Sequence, residues 1–283
     1  MRLDNFINSL ITLFTDGIVS NLVSSFIVLV VGSIAGILFA NFRDFIAKSR
    51  PIRRVMRLNP HGGTLYVVAA TIRPQTPGAV QGDGSPQRAT PSTGLGELKA
   101  ASYINQALTV GYPRRANKIE LVLSETFTGF KEDDKSGEII SLGGPKFNEM
   151  TRSYREGQQL ALAFDLSDPG NASVVERHAG AVVRMYQQVR TGEHRKDFGI
   201  ITRLPNRLDP GKENAVFLLE GAGTYGVEGC AKMLTLARIG GFSRYARELK
   251  EQWWQALVEV SVEGNLVTPT LVRVIAISSE NRR

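Results

Sequence analysis

The chain has 283 residues, 42 % of them hydrophobic, and its 34 Lys and Arg outnumber 27 Asp and Glu for a net charge of +7. That length holds one good-sized globular domain with residues left for attachments. A single cysteine, Cys230, excludes a disulfide framework and a Cys-rich zinc site, and His61, His178 and His194 lack metal-pair spacing, so no metal is expected.

Residues 1–16 place Phe6, Ile7, Leu10, Ile11 and Phe14 at helical spacing. This suits an amphipathic interfacial helix or an extension of the apolar run that follows. No charged residue lies between Asp16 and Arg43. Residues 17–42 read as one transmembrane helix, since about 25 residues rise ~37 Å, against ~30 Å of hydrocarbon. A signal peptide fits less well, because no positive segment precedes the run and no small-residue cleavage pattern follows; a buried core helix would be shorter and carry a polar stripe. Gly32 and Gly36 form a small-xxx-small pair, which is either a self-association face or ordinary membrane-helix glycine. A homo-oligomer is the expectation.

Beyond the run stand Arg43, Lys48, Arg50, Arg53, Arg54 and Arg57 against Asp44 alone. Basic residues beside a span stay on the cytoplasmic side, so a single-pass inner (plasma) membrane protein with a cytoplasmic C-terminal domain is expected. Residues 43–63 read as a basic linker attracted to the phospholipid bilayer. This cluster accounts for most of the pI of about 9.6, so nucleic acid is not the expected partner.

Residues 64–280 read as a cytoplasmic ligand-binding domain. Short apolar runs at Leu65–Thr71, Ile119–Ser124, Ile139–Leu142, Phe198–Leu204 and Ala215–Leu219 read as strands covered on both faces. Between them, helices are predicted at Gly96–Val110, Phe147–Gln159, Val174–Arg190, Val227–Ala237 and Phe242–Trp254. This alternation implies an α/β fold with a three-layer, Rossmann-like, mostly parallel sheet. Leu257–Val262 and Leu271–Ile277 alternate apolar and polar residues and read as a C-terminal β-hairpin with one wet face. Residues 74–93, rich in Pro, Gly, Ser and Thr, read as a flexible spacer or a lid. Trp253 and Trp254 sit side by side at the end of a predicted helix, so one of them is expected to lie outside the core.

Three segments run from strand to glycine to helix: Thr93-Gly94-Leu95-Gly96-Glu97, Gly143-Gly144-Pro145-Lys146-Phe147-Asn148, and Gly221-Ala222-Gly223-Thr224-Tyr225-Gly226. In a parallel sheet such turns share the carboxyl edge, where glycine brings backbone N–H groups and helix N-termini close to an anion. A nucleotide or nucleotide-derived ligand is the natural partner; no further cofactor is assigned. No P-loop is present, and Gly221, Gly223 and Gly226 follow a late strand without the later acidic residue of a dinucleotide site. Lys146 and Arg203 suit phosphate, Asn148 and Asn206 suit a base or ribose, and Tyr225 suits stacking. Asn148 and Thr224 serve equally well as helix caps. No nucleophile elbow is present. A lone carboxylate such as Glu97, Glu125 or Glu228 would suffice to act at an N-glycosidic bond, although salt-bridged or capping glutamates are more common.

The pattern Gly-Gly-Pro-x-x-Asn, followed late by Gly-x-Gly-Thr-Tyr-Gly-x-Glu, resembles the Rossmannoid superfamily of SLOG, TIR-like and nucleoside deoxyribosyltransferase-like domains. The resemblance implies a nucleotide phosphate and ribose held near Gly223, Thr224 and Glu228, with shifted spacing. Joined to a membrane helix, it implies an effector of bacterial antiphage defence triggered by a nucleotide signal. The rival expectation is a membrane-tethered enzyme cleaving or transferring at a nucleoside or nucleotide N-glycosidic bond.

Overall fold

The computed structural model describes residues 7–8, 30, 33–34, 37, 39–71, 93–165, 173–191, 194–208, 214–236, 241–250 and 252–277. The chain divides into two compact units, Met1–Lys48 and Ser49–Arg283. In the first, residues 39–48 are helical, with Lys48 paired to Asp44 at 2.7 Å. Ile34, Ile37, Phe39 and Phe42 each expose more than half of their surface. Among the described residues no helix is long and apolar enough to cross a membrane. Most of the predicted span at 17–42, with Gly32 and Gly36, lies outside the described residues, as does nearly all of segments 1–16 and 74–93.

The second unit begins earlier than the sequence suggests. Residues 49–56 are helical (α1), and Ile52, Val55, Met56 and Leu58 are buried in the main core. Part of the expected basic linker is therefore a structural element of the domain. Arg57, with a left-handed φ of 49°, ends the helix. The orphan carbonyls of Met56 and Arg57 accept from the buried guanidinium of Arg203.

The main sheet has the order β11-β10-β8-β9-β3-β1-β2. Its parallel half comprises β1 (Leu65–Ala69), β2 (Ile119–Leu123), β3 (Glu138–Leu142) and β9 (Ala215–Gly221). β8 (His194–Pro205), β10 (Trp254–Glu263) and β11 (Leu266–Ala276) extend it in antiparallel pairing, and β7 (Val189–Thr191) adds to the start of β8. The hairpin β10–β11 turns at Gly264, with φ of 58°, and lies at the sheet edge as expected. The fold is thus mixed α/β, and β10 runs in the same direction as the four parallel strands.

Helices α2 (Leu95–Gly111) and α5 (Thr224–Thr235) pack against each other on one face. Strand alternation divides β8 between two layers. Gly199 meets Cys230 of α5, while Phe198 and Ile200 join Leu162, Val174 and Leu257 in a separate core cluster. That cluster sits under a second sheet of β4 (Leu162–Asp165), β5 (Ser173–His178) and β6 (Ala181–Gln187). Short α3 (Ser124–Thr128) places Phe127 against Tyr66 of β1.

Three predicted elements are corrected. Residues Val174–Arg190 form β5, β6 and the start of β7 rather than a helix. The β-branched pairs Val174–Val175 and Val182–Val183 favour strands, and Ala179 and Gly180, both left-handed at φ 49° and 85°, make the two-residue turn between them. Phe242–Trp254 forms two 3₁₀ turns, Phe242–Tyr245 and Glu248–Lys250, followed by the start of β10. Trp253 and Trp254 are both buried, because neighbouring residues at a strand entry diverge: Arg203 stacks on Trp253, while Trp254 packs on Phe217 and Phe242. The second predicted helix, Phe147–Gln159, shrinks to α4 (Glu149–Arg155), because Asn148 caps it through Thr151 N at 3.2 Å.

Candidate functional site

The second and third glycine turns leave β3 and β9, which are adjacent and parallel, so both emerge at one edge of the sheet, and the first, at the start of α2, meets the third there through Gly96 and Thr224. Gly143 donates its N–H to Leu219 O at 2.9 Å. Its φ of +107° is left-handed, and a Cβ there would sit 2.7 Å from Ala70 Cβ. At Gly96 a Cβ would lie 2.4 Å from Thr224 Cγ2 and 2.5 Å from Thr224 O, so the N-termini of α2 and α5 touch through this glycine. Gly221 and Gly226 are packed against the backbone of their own turn and of Phe198.

The three helix N-termini differ in what satisfies them. Asn148 caps α4 and also donates to Val68 O and Leu142 O, which makes it a buried staple between β1 and β3. At α5 the cap comes from another strand: Asp197, at the start of β8, accepts from Gly226 N at 2.8 Å through Oδ2 and from Phe198 N at 2.8 Å through Oδ1. Gln188 Nε2 donates to the same Oδ1 at 2.7 Å. Burial pushes the Asp197 carboxyl up, and these hydrogen bonds oppose the shift. The N-cap of α2, Gly94, has no side chain to offer, and among the described residues no side chain caps this terminus.

Two of the carboxylates singled out in the sequence stand here. Glu97, in the first turn of α2, is half-buried, with Oε1 3.4 Å from the Cβ position of Gly143. Burial raises its carboxyl above the ordinary value, with its own backbone N–H pulling the other way. Glu228 is buried and paired with Lys99 at 3.3 Å.

A cavity of about 380 Å³ opens beside this edge between α2, α5, the start of β8 and the β10–β11 turn. Gly96, Thr224, Tyr225 and Glu228 line it together with Lys99, Gln188, Arg195, Lys196, Asp197 and Asn265. The second group was not evident as site residues in the sequence. The available signal was strand direction: β8 is antiparallel, so its first residues, not its last, reach the carboxyl edge.

The same reversal places two predicted site residues away from the glycine turns. Arg203 and Asn206 lie at the amino edge, where Pro205 pairs with Ala215 at the start of β9. Arg203 is buried against Phe217 and Trp253, and Asn206 donates to Lys135 O and Gly137 O and accepts from Tyr154. Lys146 is exposed, with its ammonium 5.3 Å from the Phe147 ring. Gly144 lies at the same edge as Gly143, 3.8 Å from Gly221 O when measured from its Cβ position. Glu125, the third carboxylate weighed in the sequence, is exposed in α3.

No protein-family model and no curated protein matches the chain. The site therefore has to be read from its own geometry.

Proposed function

We propose that the chain is a membrane-anchored, nucleotide-sensing protein with a Rossmann-like cytoplasmic domain. In this reading it is a bacterial antiphage effector whose ligand acts on its N-terminal apolar segment through self-association. The observation that carries the ligand class is the meeting of three glycine turns at one sheet edge, with α2 and α5 in contact through Gly96 and Thr224 and an open cavity beside them. The uncharged stretch before Arg43 and the exposed Ile34, Ile37, Phe39 and Phe42 support the membrane segment. The test is the full chain in detergent or nanodiscs against a panel of nucleotides, followed by thermal stabilisation and by chromatography of the ligand. Stabilisation without breakdown supports the sensor. A flat response across the panel sinks it.

A second reading rests on Glu97, a half-buried carboxyl at the centre of the glycine edge with a raised pKa. It is that of an enzyme cleaving or transferring at an N-glycosidic bond. Release of free base in the same assay, lost in Glu97→Gln, would select it.

A further inference from the structure

At the third glycine turn the protein already supplies an anion. Asp197, 4 % exposed, takes the N–H of Gly226 and is locked by Phe198 N and Gln188. A ligand phosphate at this turn would have to expel a buried carboxylate that accepts three hydrogen bonds. The neighbouring cavity offers a different arrangement. Lys99 from α2 and Arg195 and Lys196 from β8 line one space. Lys99 is held by Glu228 at 3.3 Å, yet its side chain remains 39 % exposed, whereas strand alternation turns the Lys196 side chain to the far face of β8, where it pairs with Glu259 at 3.0 Å. Arg195 is exposed and makes no ion pair among the described residues.

The volume of about 380 Å³ lies near the lower end of the roughly 300–1,000 Å³ of ligand pockets. That suits one nucleotide rather than a dinucleotide. Tyr225, half-buried in the same wall, offers a ring to a base. Guanidinium and ammonium groups from two elements converging on one space is the arrangement that holds phosphate oxygens.

We propose that the phosphate of a mononucleotide is held by Lys99 and Arg195 in this cavity, and that the third glycine turn, filled by Asp197, holds none. The proposal rests on the nucleotide-sensing reading above. Inorganic pyrophosphate and the nucleotide panel are the probes, titrated into the full chain in detergent and read by thermal shift and ³¹P line broadening. Arg195→Gln, at an exposed position that leaves the fold intact, weakens pyrophosphate binding by about five- to ten-fold, the loss of one charge-assisted contact. Lys99→Gln, its fold verified by circular dichroism, does the same. Asp197→Asn, which keeps the acceptor for Gly226, leaves the affinity within about three-fold.

Unchanged binding in both Arg195→Gln and Lys99→Gln overturns the proposal. So does a gain above about ten-fold in Asp197→Asn, since it would mean that the carboxylate and the phosphate compete for one place. Pyrophosphate that fails to bind while a nucleotide still stabilises the chain refutes this phosphate site and spares the sensor. Pyrophosphate binding at these residues with no response to any nucleotide does the reverse.

Discussion

At the amino edge of the parallel strands, two arginines lie buried with their hydrogen bonds directed at the chain leaving α1. Arg115 pairs with Glu138 and donates to Asn59 O and Gly63 O, while Arg203 donates to Met56 O, Arg57 O and Gln252 O. At the carboxyl edge the backbone is glycine, the cavity is lined by half-exposed lysines, and Glu97 has no ion pair among the described residues. One edge spends its charges on fixing the α1 junction. The other leaves several of them within reach of a ligand. Buried, ion-paired or carbonyl-bonded charges rigidify and half-exposed ones recognise, so the division separates the structural edge from the candidate binding edge.

The sharpest way to break this contrast is at Arg115. In Arg115→Met the carboxylate of Glu138 stays buried with only Asn59 N as a partner. Urea unfolding should then show a loss of about 3–5 kcal/mol, whereas Arg115→Met combined with Glu138→Leu should recover most of it. A single-mutant loss below about 1 kcal/mol would place the rigid half elsewhere. Asn148→Ala comes next, at about 2 kcal/mol, because it removes the α4 cap and the side-chain donor to Val68 O and Leu142 O, of which Leu142 O keeps Ala70 N. Any nucleotide response should survive it. A lost response with a well-folded variant would restore Asn148 as a ligand contact.

Gly96→Ala probes the open edge directly. The new methyl would meet Thr224 Cγ2 and Thr224 O at 2.4 and 2.5 Å. Overpacking costs about 1–3 kcal/mol, and the better helix propensity of Ala returns up to about 1 kcal/mol. A net fall of about 1–2 kcal/mol should accompany a weakened nucleotide response, since α2 and α5 are pushed apart. An undiminished response would separate the ligand site from this contact.

Much of this organisation was legible in the sequence, and its failures have physical causes. The glycine turns, the helices that follow them and the C-terminal hairpin were readable because glycine before an amphipathic run is a local signal. Strand direction is not local. Reading β8 as parallel put Arg203 and Asn206 at the ligand edge and hid Asp197, Arg195 and Lys196, which the antiparallel chain carries there instead. Residues Val174–Arg190 fail for a related reason: spacing suggested a helix, but β-branching and a tight left-handed turn decided for strands. The burial of α1 depends on Arg115 and Arg203, 58 and 146 residues beyond Arg57, and no window along the chain contains both partners.

The smallest effect is the most specific to the carboxyl edge. Burial holds the Glu97 carboxyl above its ordinary 4.5, so over the interval from 4.5 to the raised value the folded chain binds more protons than the unfolded one. Stability from this group is therefore full below pH 4.5 and is lost as pH rises through the raised value. Glu97→Gln imitates the protonated form and removes that slope. Its melting temperature should match wild type at pH 4 and exceed it slightly at pH 7, as measured by circular dichroism across the two pH values. Parallel melting curves would mean that the carboxyl is as well solvated as any surface glutamate. That would take away both the enzyme reading and the asymmetry of the two edges at the place where they differ most.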